Sequence, residues 1–115
     1  MSALLSLRRP FVADHFHDLP GFVEERHGHN WEAEATFSIE DGAGEGVCAA
    51  ALDAWVGQVD YTLLNAQAAL LGGNPTAELL AQWLFRFLES GDQPVVKVKV
   101  REKANYWAAC GRVGA

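Results

Sequence analysis

An α+β fold is predicted, with elements in the order β-β-α-α-β-β and two helices on one face of an antiparallel sheet. Three observations predict it. Residues 27–40 alternate, with Trp31, Ala33, Ala35, Phe37 and Ile39 set against Glu32, Glu34, Thr36, Ser38 and Glu40, which is a period of two. Residues 94–102 do the same, with Val96, Val98 and Val100 set against Lys97, Lys99 and Arg101. Between these strands lie two stretches whose apolar residues recur at helical spacing.

The elements follow in order. Residues 3–16 read as a first strand, with Leu5, Leu7, Phe11, Ala13 and His15 on one parity. Pro10 has no N–H for a ladder, so a bulge, an edge or a break is expected there. Residues 17–26 read as a loop, with Asp18, Pro20 and Gly21 as turn signals. The strand at 27–40 has one core face and one wet face. A glycine-rich turn, 41–46, follows; no Lys-Ser/Thr comes after it, so it is a linker rather than a phosphate cradle. Residues 47–59 fit a helix with the stripe Ala51, Leu52, Trp55, Val56 and Val59. Gly72-Gly73 breaks the chain. Asn74 as N-cap and Pro75 at the first helical position open a second helix. Its stripe is Leu80, Trp83, Leu84, Phe87 and Leu88, and Gly91 is placed to end it. A last strand, 104–113, runs around Tyr106, Ala108 and Cys110.

The chain of 115 residues suits one domain, 1–115, with one core. Half of it is hydrophobic (50%), which fits a packed fold rather than disorder. A net charge of −6 argues against a nucleic-acid or anionic-membrane partner. Cys48 and Cys110 form no CxxC pair and suggest no disulfide framework. No window is apolar enough to span a bilayer, and the first residues lack a secretory pattern, so a reduced cytoplasmic setting is expected.

The candidate chemistry sits in the histidines. His27 and His29 are one residue apart in a strand, so both point to one face. His15 lies on the apolar parity of the first strand. If the two strands pair, three imidazoles meet, a donor set that suits Zn²⁺ and leaves a coordination position open. Taken singly, each histidine is more simply a satisfied side chain in a polar pocket. His17 shares the parity of His15, and spacing does not exclude it. Glu102 falls on the valine parity at a strand end, where a carboxylate needs a partner or an exit to solvent. It is therefore a candidate to receive a cationic or hydrogen-bond-donating ligand. No Ser/His/Asp triad is present, and no cysteine adjoins the histidines.

These motifs resemble those of the 6-pyruvoyl-tetrahydropterin synthases and of the 6-carboxy-tetrahydropterin synthases of queuosine biosynthesis. Phe11-x-Ala13-x-His15 and His27-Gly28-His29-Asn30 are similar to the family's two zinc motifs. Asp60 with Leu63-Leu64-Asn65 resembles its Leu-Asp-His-x-x-Leu-Asn segment. Pro75-Thr76-Ala77-Glu78 resembles the start of its second long helix. Val98-Lys99-Val100-Arg101-Glu102 resembles the strand that ends in the pterin-anchoring glutamate. The resemblance implies the tunnelling fold, in which strands of several subunits close a barrel. It implies a homo-oligomer, usually a hexamer built as a dimer of trimers, with sites at subunit interfaces. It implies Zn²⁺ on His15, His27 and His29, with His17 left out. It implies a small-molecule pterin held by Glu102, with help from Thr76, Ala77 and the neighbouring Glu78.

The departures bear on activity. Val23 stands where the family has its catalytic cysteine, and Tyr61 where it has the histidine after Asp60. The segment from Gly46 to Asp60 is also shorter than usual, with Ala49-Ala50 where the family has Asp-Phe. One variant of the family uses Glu-x-x-His-Gly-His, and Glu24 occupies the first position of that spacing. Such variants cleave the side chain of dihydroneopterin triphosphate to give a 6-hydroxymethyl-dihydropterin. Glu24 is then a candidate general base, less so Glu25, with Asp60 assisting; the plain alternative is that Glu24 and Glu25 are solvated loop acids. Three functional readings follow: a zinc-dependent pterin-converting enzyme, a catalytically inactive pterin- or purine-binding homologue that keeps the Glu102 anchor, and a structural subunit among paralogues.

Overall fold

The computed structural model describes residues 2–40, 44–70 and 73–112. Asp41, Gly42, Ala43, Gly72 and Val113, which the sequence assigns to turns and a strand end, lie outside the described residues. The first strand, β1, spans Ser2–His15, and a small hairpin follows, β2 (Asp18–Leu19) and β3 (Phe22–Val23). The long strand β4 covers His27–Glu40. Helix α1 covers Glu45–Val59, followed by the short β5 (Thr62–Leu63) and two 3-10 turns, Leu64–Ala66 and Ala68–Leu70. Helix α2 covers Ala77–Ser90, and β6 (Val95–Lys103) and β7 (Tyr106–Gly111) complete the chain.

The sheet order is β5-β1-β4-β6-β7. β1, β4, β6 and β7 are antiparallel to their neighbours, whereas β5 runs parallel to β1 at Ala13 and Asp14. Both helices cover one face. The core between them and the sheet contains Phe11, Trp31, Phe37, Leu52, Trp55, Leu80, Leu84 and Leu88. The other face carries polar ladders such as Ser6–Thr36 and Arg8–Glu34, both bonded at 2.8 Å. No helix among the described residues is long and apolar enough to cross a membrane.

Pro10 is tolerated because its ring nitrogen faces an unpaired edge. Val12, of the same parity, takes its N–H bond from the Asp60 side chain and accepts from the Tyr61 N–H on that outer side. Pro10 therefore lacks a donor where no strand among the described residues of its own sheet needs one.

Four local expectations are corrected. The loop at 17–26 contains the β2–β3 hairpin, turned at Gly21 with φ 78°. The first helix starts at Glu45, two residues early, because Gly44 turns into it at φ 91°. The second helix is capped by Thr76, whose hydroxyl accepts from the Leu79 N–H at 3.3 Å, and not by Asn74. Its buried stripe is rotated. Ala81 and Phe85 are buried, whereas Trp83 and Phe87 lie half-buried on the margin. Trp83 there meets Trp55 edge to face at 5.4 Å. Gly91 ends the helix at φ −85°, and the left-handed residue is Asp92.

The strand at the other side of β4 shows a fifth correction. The ladder slips between Thr36 and Phe37, so Phe37 pairs with Val95 and Val96 becomes the extra residue. Val95 is consequently buried, together with Val98 and Val100, and Val96 is not.

Candidate functional site

The site is built by register. In the β1–β4 ladder His15 lies opposite His27 and Ala13 opposite His29. All three imidazoles therefore extend the same face that Phe11 and Trp31 bury under the helices. Ring centroids are 4.6 Å apart for His15 and His27, 5.0 Å for His15 and His29, and 4.9 Å for His27 and His29. One nitrogen from each lies within 4.8 Å of those of the other two.

Two of the rings are oriented from behind. The His15 Nδ1 donates to the Pro75 carbonyl and the His27 Nδ1 to the Glu25 carbonyl, each at 2.9 Å. A carbonyl only accepts, so in the neutral ring the proton sits on Nδ1 and the lone pair on Nε2. The His15 Nε2 is buried and has no hydrogen-bond partner among the described residues. Burial holds the His29 imidazole below its ordinary value, and the Glu102 carboxylate only partly opposes this. Converging imidazoles, one of them with a buried and unpartnered Nε2, fit a Zn²⁺ ion with a position to spare.

Trp31 forms the floor. Its Nε1 donates to the Ala13 carbonyl at 3.1 Å, and its ring lies 5.1 Å from His15 and 5.7 Å from His29. Phe11 stacks on its far side at 5.8 Å. Glu102 closes the other side. β6 runs on to Lys103, and Glu102 is the extra residue of a bulge between Arg101 and Lys103. Its Oε1 lies 3.5 Å from the His15 Nε2, with the side chain 14% exposed. The carboxylate is thus turned toward the histidines, not released to solvent.

The remaining candidates are placed apart from the three histidines or bound to backbone. Glu24 Oε1 accepts from the His17 N–H at 3.1 Å and lies 3.8 Å from the His27 Nδ1. Val23 is exposed on β3. Asp60 caps α1, and its Oδ1 accepts from the Val12 N–H at 2.9 Å on the outer edge of β1. Tyr61 is 83% exposed, at φ 58°. Thr76 caps α2 and Ala77 is buried behind it. Glu78 accepts from the Tyr106 hydroxyl at 2.9 Å; the helix-start backbone N–H and that hydroxyl hold its carboxyl below the usual range. Cys48 is buried in α1, where burial pushes its thiol up, so no activated thiolate is offered there.

Two asparagines, Asn65 of the motif named above and Asn74, hold the segment that follows His15. Asn65 accepts from the Phe16 N–H at 3.0 Å and donates to its carbonyl at 2.9 Å. Asn74 treats Asp18 in the same way, at 2.7 Å and 3.4 Å. Each side-chain amide imitates a neighbouring strand. Neither a motif position, as for Asn65, nor polarity next to a turn, as for Asn74, reveals a partner about fifty residues away.

Larger clefts among the described residues are not lined by the three histidines. One of about 610 Å³ runs between α1 and α2 past Trp83, Arg86 and Phe87, and its lining brings no acid, base and ligand atoms together.

A family model described as 6-pyruvoyl tetrahydropterin synthase matches residues 5–112. No curated protein sequence matches the chain. Among solved structures, the Caenorhabditis elegans 6-pyruvoyl tetrahydropterin synthase is similar with a TM-score of 0.78 at 15% identity, covering 97% of this chain and 96% of that one. The Plasmodium falciparum enzyme gives 0.69 at 14% identity, with 96% and 98% covered. A Plasmodium vivax 6-pyruvoyltetrahydropterin synthase described as a catalytic-residue mutant, glutamate to cysteine, gives 0.67 at 14% identity, with 97% and 98% covered.

Proposed function

Because this chain belongs to the 6-pyruvoyl tetrahydropterin synthase family, we propose that it is a zinc-dependent enzyme converting a dihydroneopterin-triphosphate-like pterin, with Glu24 in place of the usual cysteine. The observation that carries this reading is one constellation. Three imidazole nitrogens lie within 4.8 Å of one another, and the Glu102 carboxylate lies 3.5 Å from the His15 Nε2. His15, His27 and His29 would hold the ion, which when bound supplies Lewis-acid polarisation of a substrate oxygen. Glu102 accepts hydrogen bonds from the amino-pyrimidine edge and orients the ring, with Thr76, Ala77 and Glu78 at the adjoining start of α2. Trp31 and Phe11 keep water from the floor. Glu24, fixed through Oε1 to the His17 N–H, takes a proton from a side-chain hydroxyl with its free Oε2. The carbon–carbon bond beside that hydroxyl breaks, an aldehyde leaves, and the proton is returned to the ring-side carbon. The product is a 6-hydroxymethyl-dihydropterin. The catalytic glutamate in the description of the Plasmodium vivax protein supports a carboxylate in this role. Asp60 assists from the β1 edge. The chain acts as one domain, 1–115, in a cytoplasmic homohexamer whose barrel is closed by pairing the open edges of β1 and β7 between copies.

Product analysis with dihydroneopterin triphosphate tests this. Glu24→Gln is expected to abolish turnover and to leave pterin binding intact, and unchanged turnover removes Glu24 from the mechanism. The second reading, a catalytically inactive binding homologue, is favoured by the exposure of Val23 and Tyr61 and by the engagement of Asp60 with the Val12 backbone. Tight pterin binding without product selects it. In both readings Glu102→Ala loses pterin affinity. A stable homohexamer of the purified chain disposes of a purely structural role among paralogues.

A further inference from the structure

Three of the four histidines form the cluster, and the fourth stands against it. The His17 ring packs edge to face on His15, with centroids 5.7 Å apart. Its Nε2 is buried and has no hydrogen-bond partner among the described residues, an arrangement that folding alone does not favour. The segment carrying it is unusually constrained. Phe16, His17 and Asp18 each have both backbone groups bonded by a single residue: Asn65 holds Phe16, Glu24 holds His17, and Asn74 holds Asp18. These six bonds satisfy the backbone and make no use of the imidazole. The result is a polar atom placed with precision and left free, beside a group of converging nitrogen atoms and a carboxylate.

We propose that His17 is a substrate-binding residue, whose Nε2 hydrogen-bonds a hydroxyl on the side chain of the bound pterin and so selects hydroxylated side chains over bare ones. This rests on the pterin reading of the site. An imidazole nitrogen pairs with a hydroxyl as donor or acceptor, while a methyl group at the same place leaves it unpaired, and sites built around a hydrogen bond reject analogues that lack the group. His17 is held by its neighbours' side chains and backbone rather than by a role in the core, so its replacement leaves the β1–β4 ladder intact.

The test measures dissociation constants of neopterin and 6-methylpterin for the zinc-loaded full chain by pterin fluorescence. The wild type is expected to prefer neopterin. His17→Leu is expected to lose about threefold to tenfold in neopterin affinity and to bind 6-methylpterin as before. His17→Gln, whose amide reaches the Nε2 position, is expected to restore most of the loss. If His17→Leu does not fold, His17→Asn, whose amide stops short of that position, replaces it with the same expectation. Zinc content and thermal midpoint are followed in every variant. Unchanged neopterin affinity in His17→Leu, equal losses for both pterins, or loss of zinc would each overturn the assignment. A wild type whose pterin binding is abolished by Glu102→Ala but is indifferent to His17→Leu keeps the pterin reading and removes His17 from it. A wild type that binds neither pterin removes both.

Discussion

One stripe of side chains, running along β1 and β4 under the helices, has two ends of different chemistry. At one end Phe11, Phe37, Ala33 and Ala35 are buried against Leu52 and Leu84. At the other, the same alternation continues into His15, His27 and His29. The backbone is the same throughout, an unbroken ladder from Ser2 opposite Glu40 to His15 opposite His27. Only the side chains change. The apolar end is complete once it is packed, because dispersion and exclusion of water need no particular partner atom. The histidine end is buried only at His15 and is still incomplete, because its nitrogens need something to bond. At His15 the stripe stops being apolar before it stops being buried, and at His27 and His29 it begins to open to solvent.

Breaking the histidine end should have the largest effect. His15→Ala is expected to take zinc content from near one per chain to near zero, measured by elemental analysis of protein purified without chelator, while the chain remains folded by circular dichroism. Zinc retained in that variant would dissolve the distinction between the two ends. At the apolar end, Phe11→Ala is expected to cost about 3–5 kcal/mol in denaturant unfolding. Leu84→Ala, on α2, is expected to cost about 2–5 kcal/mol and to leave zinc stoichiometry unchanged in the folded fraction. The smallest effect sharpens the contrast by pH. The His29 imidazole titrates lower in the folded chain than its ordinary 6.5, so the unfolded state binds its proton first. Stability is therefore full above that value and declines as pH falls through the folded one. Thermal midpoints of the metal-free chain are expected to drop modestly on acidification from neutrality, and less so in His29→Asn.

Much of this was legible beforehand because it is local. The period of two placed three histidines and Glu102 on the core parity, and pairing brought them together. Other features were not local. The slip at Thr36 that buries Val95 instead of Val96 depends on how two strands meet. The rotation of α2, which leaves Trp83 and Phe87 at its margin, depends on where α1 lies. Asn74 looked like a helix cap, and its amide instead serves the Asp18 backbone.

Taken by itself, the sequence determined the order of the four long strands and two helices, the faces of those strands and the residue types that could bind an ion, but not the short strands β2, β3 and β5, since it reads repeat lengths of two and 3.6 residues only over long segments. The tertiary structure alone decided which nitrogen of His15 and of His27 is free, that Glu102 turns inward, and that His17 is held against the cluster. Those outcomes depend on hydrogen bonds between segments far apart in the chain, the Pro75 carbonyl to His15 and the Asn65 amide to Phe16 among them. Such bonds are chosen by the packed register rather than by any residue's own preference.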